Sequence, residues 1–473
     1  MELQFISNKP GPEGRYPKNL YFRPETKHGR AALVKTPGLV HKVTPLANVK
    51  SRGMIHMRGK IYAVQGTEMH EITYDSGTGA YSSTSLGTVP GNDMVRMAVS
   101  ATQVAATRSE GGTYHYTPGT STFTSLTTPN LGSITFQDGY FLGHKMNSYE
   151  LHSSQASIGG NVSSWLDEYA NVTGSADYLL RVHSIDRIIW ALGEETTQCY
   201  VNTGDTDFPF ERAGGSFQRI GMGAKDSLAE VDKTLLFLDP QARVVRTTNY
   251  DYQVVSTNEL GKRFAGYTTS DAIGFFVLWQ EQAWYVITFP SEDITWVYDA
   301  STNSWFQWGY GPGHARHRAS TACYYPLSKH WLVGDHSNGK IYALDADTYT
   351  DDGESICWER TTPDLYHDGH LMFFNRLKVN MKMGVGLAAG HGIDSAEAPK
   401  VMLDWSHDQG NTWSNERTAS MGKIGEYDAE CVFRRIGKAS HHRAFRLRGT
   451  EDTMCEIYSF SFPEDGGVEV GSS

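Results

Sequence analysis

Residues 282–309 read QAWYVITFPSEDITWVYDASTNSWFQWG, and their reading decides the fold. An aromatic-rich apolar run, a polar turn at PSED and a second run bearing Tyr298 follow one another. Aromatic and β-branched residues suit a half-buried pleated surface. Asp299 ends the second run and serves the turn ASTN, after which Asn303 begins the return. The same unit, a small residue, an apolar strand, a polar turn and a second strand, recurs at 59–74, 111–126, 138–154, 186–201, 233–248 and 329–350. These seven units lie between about residues 55 and 350, with a mean spacing of about 45 residues, the length of a four-stranded propeller blade. The reading predicts an all-β protein with a β-propeller of six to seven blades. Two or three stacked sandwiches are the competing all-β arrangement. The longest stretch without Gly or Pro, 241–260, is rich in β-branched residues, and no helix is expected there.

Composition agrees with short strands and tight turns. Gly numbers 48 and aromatics are 12%, while charged residues are only 20% of the 473. Disorder needs few aromatics and high charge, and a helical bundle needs much Ala, Glu, Lys and Leu. The formal net charge of −11 argues against general nucleic-acid binding, which rests on cations neutralising phosphates. It suits a surface past which DNA slides. The five cysteines, at 199, 323, 357, 431 and 455, are widely spaced without CxxC and read as free thiols. The N-terminus has neither a basic n-region nor an apolar h-region, so no signal peptide is expected. The sequons at Asn161 and Asn171 are then chance. The longest apolar run, Ala272 to Trp279, is far short of the ~20 residues that span a bilayer.

The pattern changes near residue 355. The expected division is an N-terminal arm over 1–50, docked on the platform, a propeller over 51–355, and a smaller antiparallel β-sandwich or barrel platform over 356–473. Gly384–Lys400 reads as a loop, and its lone G-x-G lacks a βαβ setting.

No GxxxxGK[ST], HExxH or GxSxG occurs. His441-His442 reads as a solvated turn. Asp293 and Asp299 have no setting that marks a glycosidase pair. The sharpest motif is Ser406-His-Asp408-Gln-Gly410-Asn-Thr412-Trp413, an Asp-box pattern. Here Asp408 is expected to accept backbone N–H bonds, Gly410 to supply a positive φ and Trp413 to pack beneath. Asp boxes recur in sialidase propellers, but there they are structural and lie away from the sugar.

Residues 431–450 hold a run of Lys and Arg and no acid: Arg434, Arg435, Lys438, Arg443, Arg446 and Arg448. Arg446 and Arg448 alternate with Phe445 and Leu447 and so share one strand face. This basic face calls for acidic partners, within the chain or on a neighbouring subunit; direct DNA contact is the alternative.

These residues carry a resemblance. WYVITFPSEDITWVYDASTNSWFQW (284–308), RIGMGAKDSLAEVDKTLLFLD (219–239), VVSTNEL (254–260) and the segment from LDWSHDQGNTWS to FRLR (403–448) resemble, in order, the packaged-DNA stabilisation proteins of short-tailed, podovirus-type phages. These are tail hub or nozzle proteins. In the third segment Glu259 precedes Leu260, where the family pattern has the apolar residue first. The resemblance implies a structural virion protein of the tail, assembled in the host cytoplasm, with no catalytic residue, cofactor or metal. It implies a hexameric ring below the portal and its adaptor. The tube would retain packaged DNA and conduct it without specific binding. It would hold fibres, spikes or a needle and would not insert into a membrane. On this view the six basic residues are a candidate subunit-contact face. A polysaccharide-cleaving propeller and a non-catalytic receptor-binding propeller are the alternatives.

Overall fold

The computed structural model describes residues 15–25, 29–157, 159–172, 177–248, 250–366, 370–386, 398–439, 442–462 and 468–470. The chain divides into two compact units. One gathers Met1–Val40, Ile294–His317 and Leu344–Ser473; the other holds His41–Asp293 and Arg318–Ala343. Most of the segment read as a loop over Gly384–Lys400 falls outside the described residues.

The second unit is built from antiparallel meanders. Five four-stranded sheets run in chain order, beginning with the strands Ser51–Met57, Val95–Val99, Leu131–Gln137, Leu179–Ile185 and Ala229–Val231. A hairpin, Ile273–Trp279 with Gln282–Phe289, and the strands Ala319–Tyr325, His330–Asp335 and Ile341–Asp345 follow. A shared local device starts five of these groups. Two residues with positive φ link the first strand to the second at Arg58-Gly59, Asp138-Gly139, Asp186-Arg187, Asp232-Lys233 and Gln280-Glu281. Two consecutive positive φ values match the right-handed twist of a tight hairpin. The outermost strands, such as Tyr81–Thr88 and Asp251–Val254, are largely exposed.

The first strands form a ring. Ser51–Met57 packs beside Val95–Val99, that strand beside Leu131–Gln137, and that in turn beside Leu179–Ile185. Across the next gap, His183 Nε2 lies 3.0 Å from Glu230 Oε2. Ala229–Val231 then neighbours Ile273–Trp279, which neighbours Ala319–Tyr325, which returns to Ser51–Met57. Apolar clusters fill the spaces between adjacent sheets: Tyr62 and Val64 with Val104 and Ala106, and Trp190 with Leu235 and Phe237. Leu332 and Ile341 pack with Ile61 and Ile72, joining the last group to the first. Face-to-face sheets around a closed ring make a β-propeller, in which radial closure leaves only short edges.

The first unit is a β-sandwich. One sheet has the order Leu20–Arg23, Ala32–Lys35, Glu456–Ser461, Arg376–Met381, Cys431–Arg434. The other contains Trp358–Thr361, His442–Gly449, Lys400–Ser406 and Arg417–Ser420. Leu33, Val379, Leu403, Phe445, Leu447 and Phe460 meet between them in one core. The N-terminal strands thus belong to a sheet that the C-terminal strands complete. In the same unit Asn19 donates to the carbonyls of Gly309 and Cys357, at 2.9 and 2.7 Å.

The stretch 241–260 departs from expectation at its end. Val244–Thr248 and Asp251–Val254 are strands, but Asn258–Phe264 is a helix. The Thr257 side chain accepts from Leu260 N, Glu259 lies in the first turn, and Lys262 and Arg263 lie in the last. Cap and dipole complementarity outweigh the neighbouring β-branched residues. No helix among the described residues is long and apolar enough to cross a membrane.

Candidate functional site

The Asp-box pattern forms a closed turn at the end of the strand Lys400–Ser406. Ser406 Oγ donates to Asp408 Oδ1 at 2.6 Å and accepts from Gly410 N at 2.8 Å. Asp408 accepts from Thr412 N at 2.8 Å and from Thr412 Oγ1 at 2.6 Å. These bonds, from Ser406 first, hold the Asp408 carboxyl far below the ordinary carboxylate range. Gly410 has φ +97°, a conformation that suits glycine. The ring of Trp413 lies under the Arg446 guanidinium, 4.0 Å from its centroid. The Ser406 and Asp408 bonds close the hairpin on itself, while the Gly410 carbonyl accepts from Arg15 at 2.9 Å and His407 Nε2 lies 3.2 Å from Arg443 Nη2, so the turn ties neighbouring parts of its unit together.

Similar turns recur in both units. Asp75 accepts from Gly77 N, Asp239 from Gln241 N, Asp299 from Ser301 N and Asp335 from Ser337 N. Each carboxylate caps the turn two residues on, as an Asx-turn does. Asp299 is fully buried, and Asp293 ends a short 3-10 turn in the left-handed region.

The six basic residues do not form one face. Arg446 and Arg448 point away from the core that Phe445 and Leu447 enter, as strand alternation dictates. Their partner stands on the adjacent strand, where Asp404 is registered opposite Arg446. Arg446 donates to both Asp404 oxygens, at 2.9 and 2.6 Å. Arg448 donates to Asp404 at 2.9 Å and to Glu416 at 2.8 Å. Arg443 is buried, 1% exposed, and donates to the carbonyls of Ile436 and Lys438 at 2.8 and 2.6 Å. Its guanidinium lies over the rings of Phe374, Trp405 and Phe445. Burial pushes its pKa down to about 10, which leaves it charged at neutral pH. Arg434, Arg435 and Lys438 remain exposed.

No group of three or more His, Cys, Asp or Glu among the described residues is placed to hold a metal. His441 lies outside them, and His442 stacks on Tyr366 at 5.0 Å. All five cysteines are unpaired, four of them buried.

Strand reading alone missed the propeller axis. The first strands enclose a cavity of about 600 Å3, lined among others by Arg52, Arg96, Arg181 and Asp226. Arg52 is fully buried and donates to the carbonyls of Gly66, Val89 and Asp93. Lone arginines inside apolar strands were the available signal, since a buried guanidinium needs several acceptors.

Comparison with known proteins bears on both units. Residues 13–349 match the family described as bacteriophage P22 Gp10, beta-propeller, and residues 357–462 match bacteriophage P22 Gp10, beta-sandwich. No curated protein matches the chain. Among solved structures, the WD40 β-propeller domain of Doa1 is 11% identical, with a TM-score of 0.39 over 64% of this chain and 97% of that one. PorZ, a surface component of the type-IX secretion system of Porphyromonas gingivalis, is also 11% identical at a TM-score of 0.39, over 71% of this chain and 44% of that one. At those scores neither carries an argument about this chain.

Proposed function

The chain belongs to the bacteriophage P22 Gp10 family, structural proteins of the phage virion tail, and we propose that it is a subunit of the tail nozzle. On this reading it extends the portal–adaptor channel as a hexameric ring, retains packaged DNA and conducts it during ejection. It anchors fibres, spikes or a needle, assembles in the host cytoplasm and catalyses no reaction. The observation that carries the reading is the match of both modules, propeller then sandwich, in one order along nearly the whole chain.

Charge supports it. A net −11 repels DNA phosphates, which favours passage over retention by contact. The proposed layout keeps a platform over 356–473 with the arm 1–50 docked on it, and a propeller over 51–355 facing outward. Arg446 and Arg448 are engaged by Asp404, and Arg443 is buried. The proposed subunit contact therefore falls to Arg434, Arg435 and Lys438, which would meet acids of a neighbour.

Imaging of assembled particles tests the reading. A six-fold tube with an axial channel, containing this chain and joined to the adaptor, is expected. Absence of the chain from purified virions, together with failure to co-purify with portal–adaptor complexes, would overturn it.

A further inference from the structure

The propeller cavity is lined by Arg52, Arg96 and Arg181 and by Asp226, Glu230 and Asp232, and one of these arginines lacks an ion pair among the described residues. Arg96 donates to Asp226 at 2.8 Å and to the carbonyls of Gly132 and Lys225 at 2.5 and 2.7 Å. Lys225 is paired with Glu110, Glu230 with His183 at 3.0 Å, and Asp232 with Arg246 at 3.8 Å. Arg181 has no such partner: among the described residues no carboxylate lies within 4.0 Å of it. Its NH1 reaches only the Lys225 carbonyl, at 3.5 Å. Burial lowers its pKa to about 9, helped by Arg96 and opposed by Asp226, so it stays charged at neutral pH. Arg181 is part-exposed, and an incoming carboxylate can accept from its guanidinium in the bidentate geometry that no carboxylate among the described residues supplies.

Another part of the cavity lining is aromatic. Phe276 meets Trp331 edge-on at 5.6 Å, and Tyr324 lies 5.7 Å from the same ring. Tyr324 is 42% exposed. The volume, about 600 Å3, falls within the range of small-ligand sites. Glu230 and Asp232, also on the lining, have exposed carboxylates that can accept from hydroxyl groups.

We propose that the central cavity of the propeller binds an acidic saccharide, with its carboxylate on Arg181 and a sugar ring against the wall of Phe276, Tyr324 and Trp331. A sugar ring offers an apolar C–H face to aromatic side chains and hydroxyls to carboxylates. Arg52 and Arg96 have carboxylate partners and Arg181 has none within 4.0 Å among the described residues, which suits one carboxylate. A polyanion such as DNA would meet Asp226, Glu230 and Asp232 and be repelled. The site is independent of the tail assembly proposed above.

Calorimetric titration of the full chain tests this with glucuronate, galacturonate and N-acetylneuraminate, against neutral maltotriose and inorganic phosphate. Saturable binding of at least one acidic sugar is expected at Kd of about 1 mM or tighter. Arg181→Gln and Trp331→Ala should each weaken it about tenfold, while the exposed Arg187→Gln leaves it unchanged. Circular dichroism establishes that each variant is folded; if Arg181→Gln fails to fold, Trp331→Ala decides. No saturable binding of any acidic sugar overturns the proposal. So does maltotriose binding equally well, or phosphate binding equally well with no effect of Trp331→Ala. Binding that both folded variants leave intact overturns it too.

Discussion

Ser51 Oγ lies 2.7 Å from Thr321 Oγ1, joining the first and last inner strands of the propeller across 270 positions of sequence. Ser320 Oγ donates to the Ser51 carbonyl at 2.8 Å, and Gln65 Nε2 donates to Ser51 Oγ at 3.1 Å. The ring closes at this seam, and the seam is tight. A Cβ built on Gly334 would collide with Ser51 and Thr321.

Gly334→Ala is therefore expected to cost about 1–3 kcal/mol, the usual range for overpacking. Gly119, with nothing within 4 Å of its Cβ position and no positive φ, provides the control. Urea unfolding of both variants checks it; equal midpoints would remove the tight seam.

Asp404 is 2% exposed and holds two arginines. Asp404→Asn keeps the shape but leaves both guanidinium groups without their shared anion, at an expected cost of about 3 kcal/mol. Among the described residues Glu416, 38% exposed, pairs only with Arg448; Glu416→Gln is expected to cost under about 1 kcal/mol. Thermal melting of the two variants should separate them clearly. An unchanged melting temperature for Asp404→Asn would mean that the pairs add nothing to stability.

Lys35 is buried in the sandwich, with Nζ donating to the Glu451 carbonyl at 2.9 Å. Burial lowers its pKa from 10.5 to about 8, against the opposing charges of Asp452 and Asp351. The folded value lies below the unfolded one, so the chain binds this proton less readily when folded. The contribution is fully present above pH 10.5 and is lost as pH falls towards 8, a difference of roughly 3 kcal/mol. Lys35→Met should flatten stability against pH between 8 and 10.5. Parallel curves for parent and variant would contradict it.

Asp408 gives a signal at the acid end. Its folded pKa lies well below the ordinary 3.8 because Ser406 and Thr412 donate to it. Its contribution is thus present above pH 3.8 and is lost as pH falls through the lower folded value. Asp408→Asn should melt earlier than the parent at pH 7, with the gap narrowing as pH drops below 4. A gap independent of pH would show that charge is not what the turn uses.

Charge reversal on the exposed basic residues tests the proposed ring. Arg435→Glu combined with Lys438→Glu is expected to leave the monomer's melting temperature within about 1 °C, since surface changes rarely exceed about 0.5 kcal/mol. Incorporation into portal–adaptor–tail assemblies should fall. Normal incorporation would take those residues out of the subunit contact.

By itself the sequence determined what short-range physics controls. Aromatic and β-branched runs broken by Gly, Asp and Asn made an all-β chain, and their period made a propeller. The Ser406–Trp413 pattern carried its own turn, because every group it needs lies within eight residues. Alternation along 442–449 placed Arg446 and Arg448 on one face. It did not say whose carboxylate would meet them: Asp404 lies 42 positions from Arg446 and becomes its neighbour only through cross-strand register. Nor did the pattern set Arg443 apart from the exposed cations beside it, since burial depends on Phe374 and Trp405 from other strands. The helix Asn258–Phe264 is hidden from the local pattern because its Thr257 cap directly follows a β-branched strand run. The seam at Ser51 and the setting of Arg181, without an ion pair among the described residues, arise only when the ring closes. Closure brings together residues that no local pattern relates, and it decides which charges find partners and which are left facing a cavity.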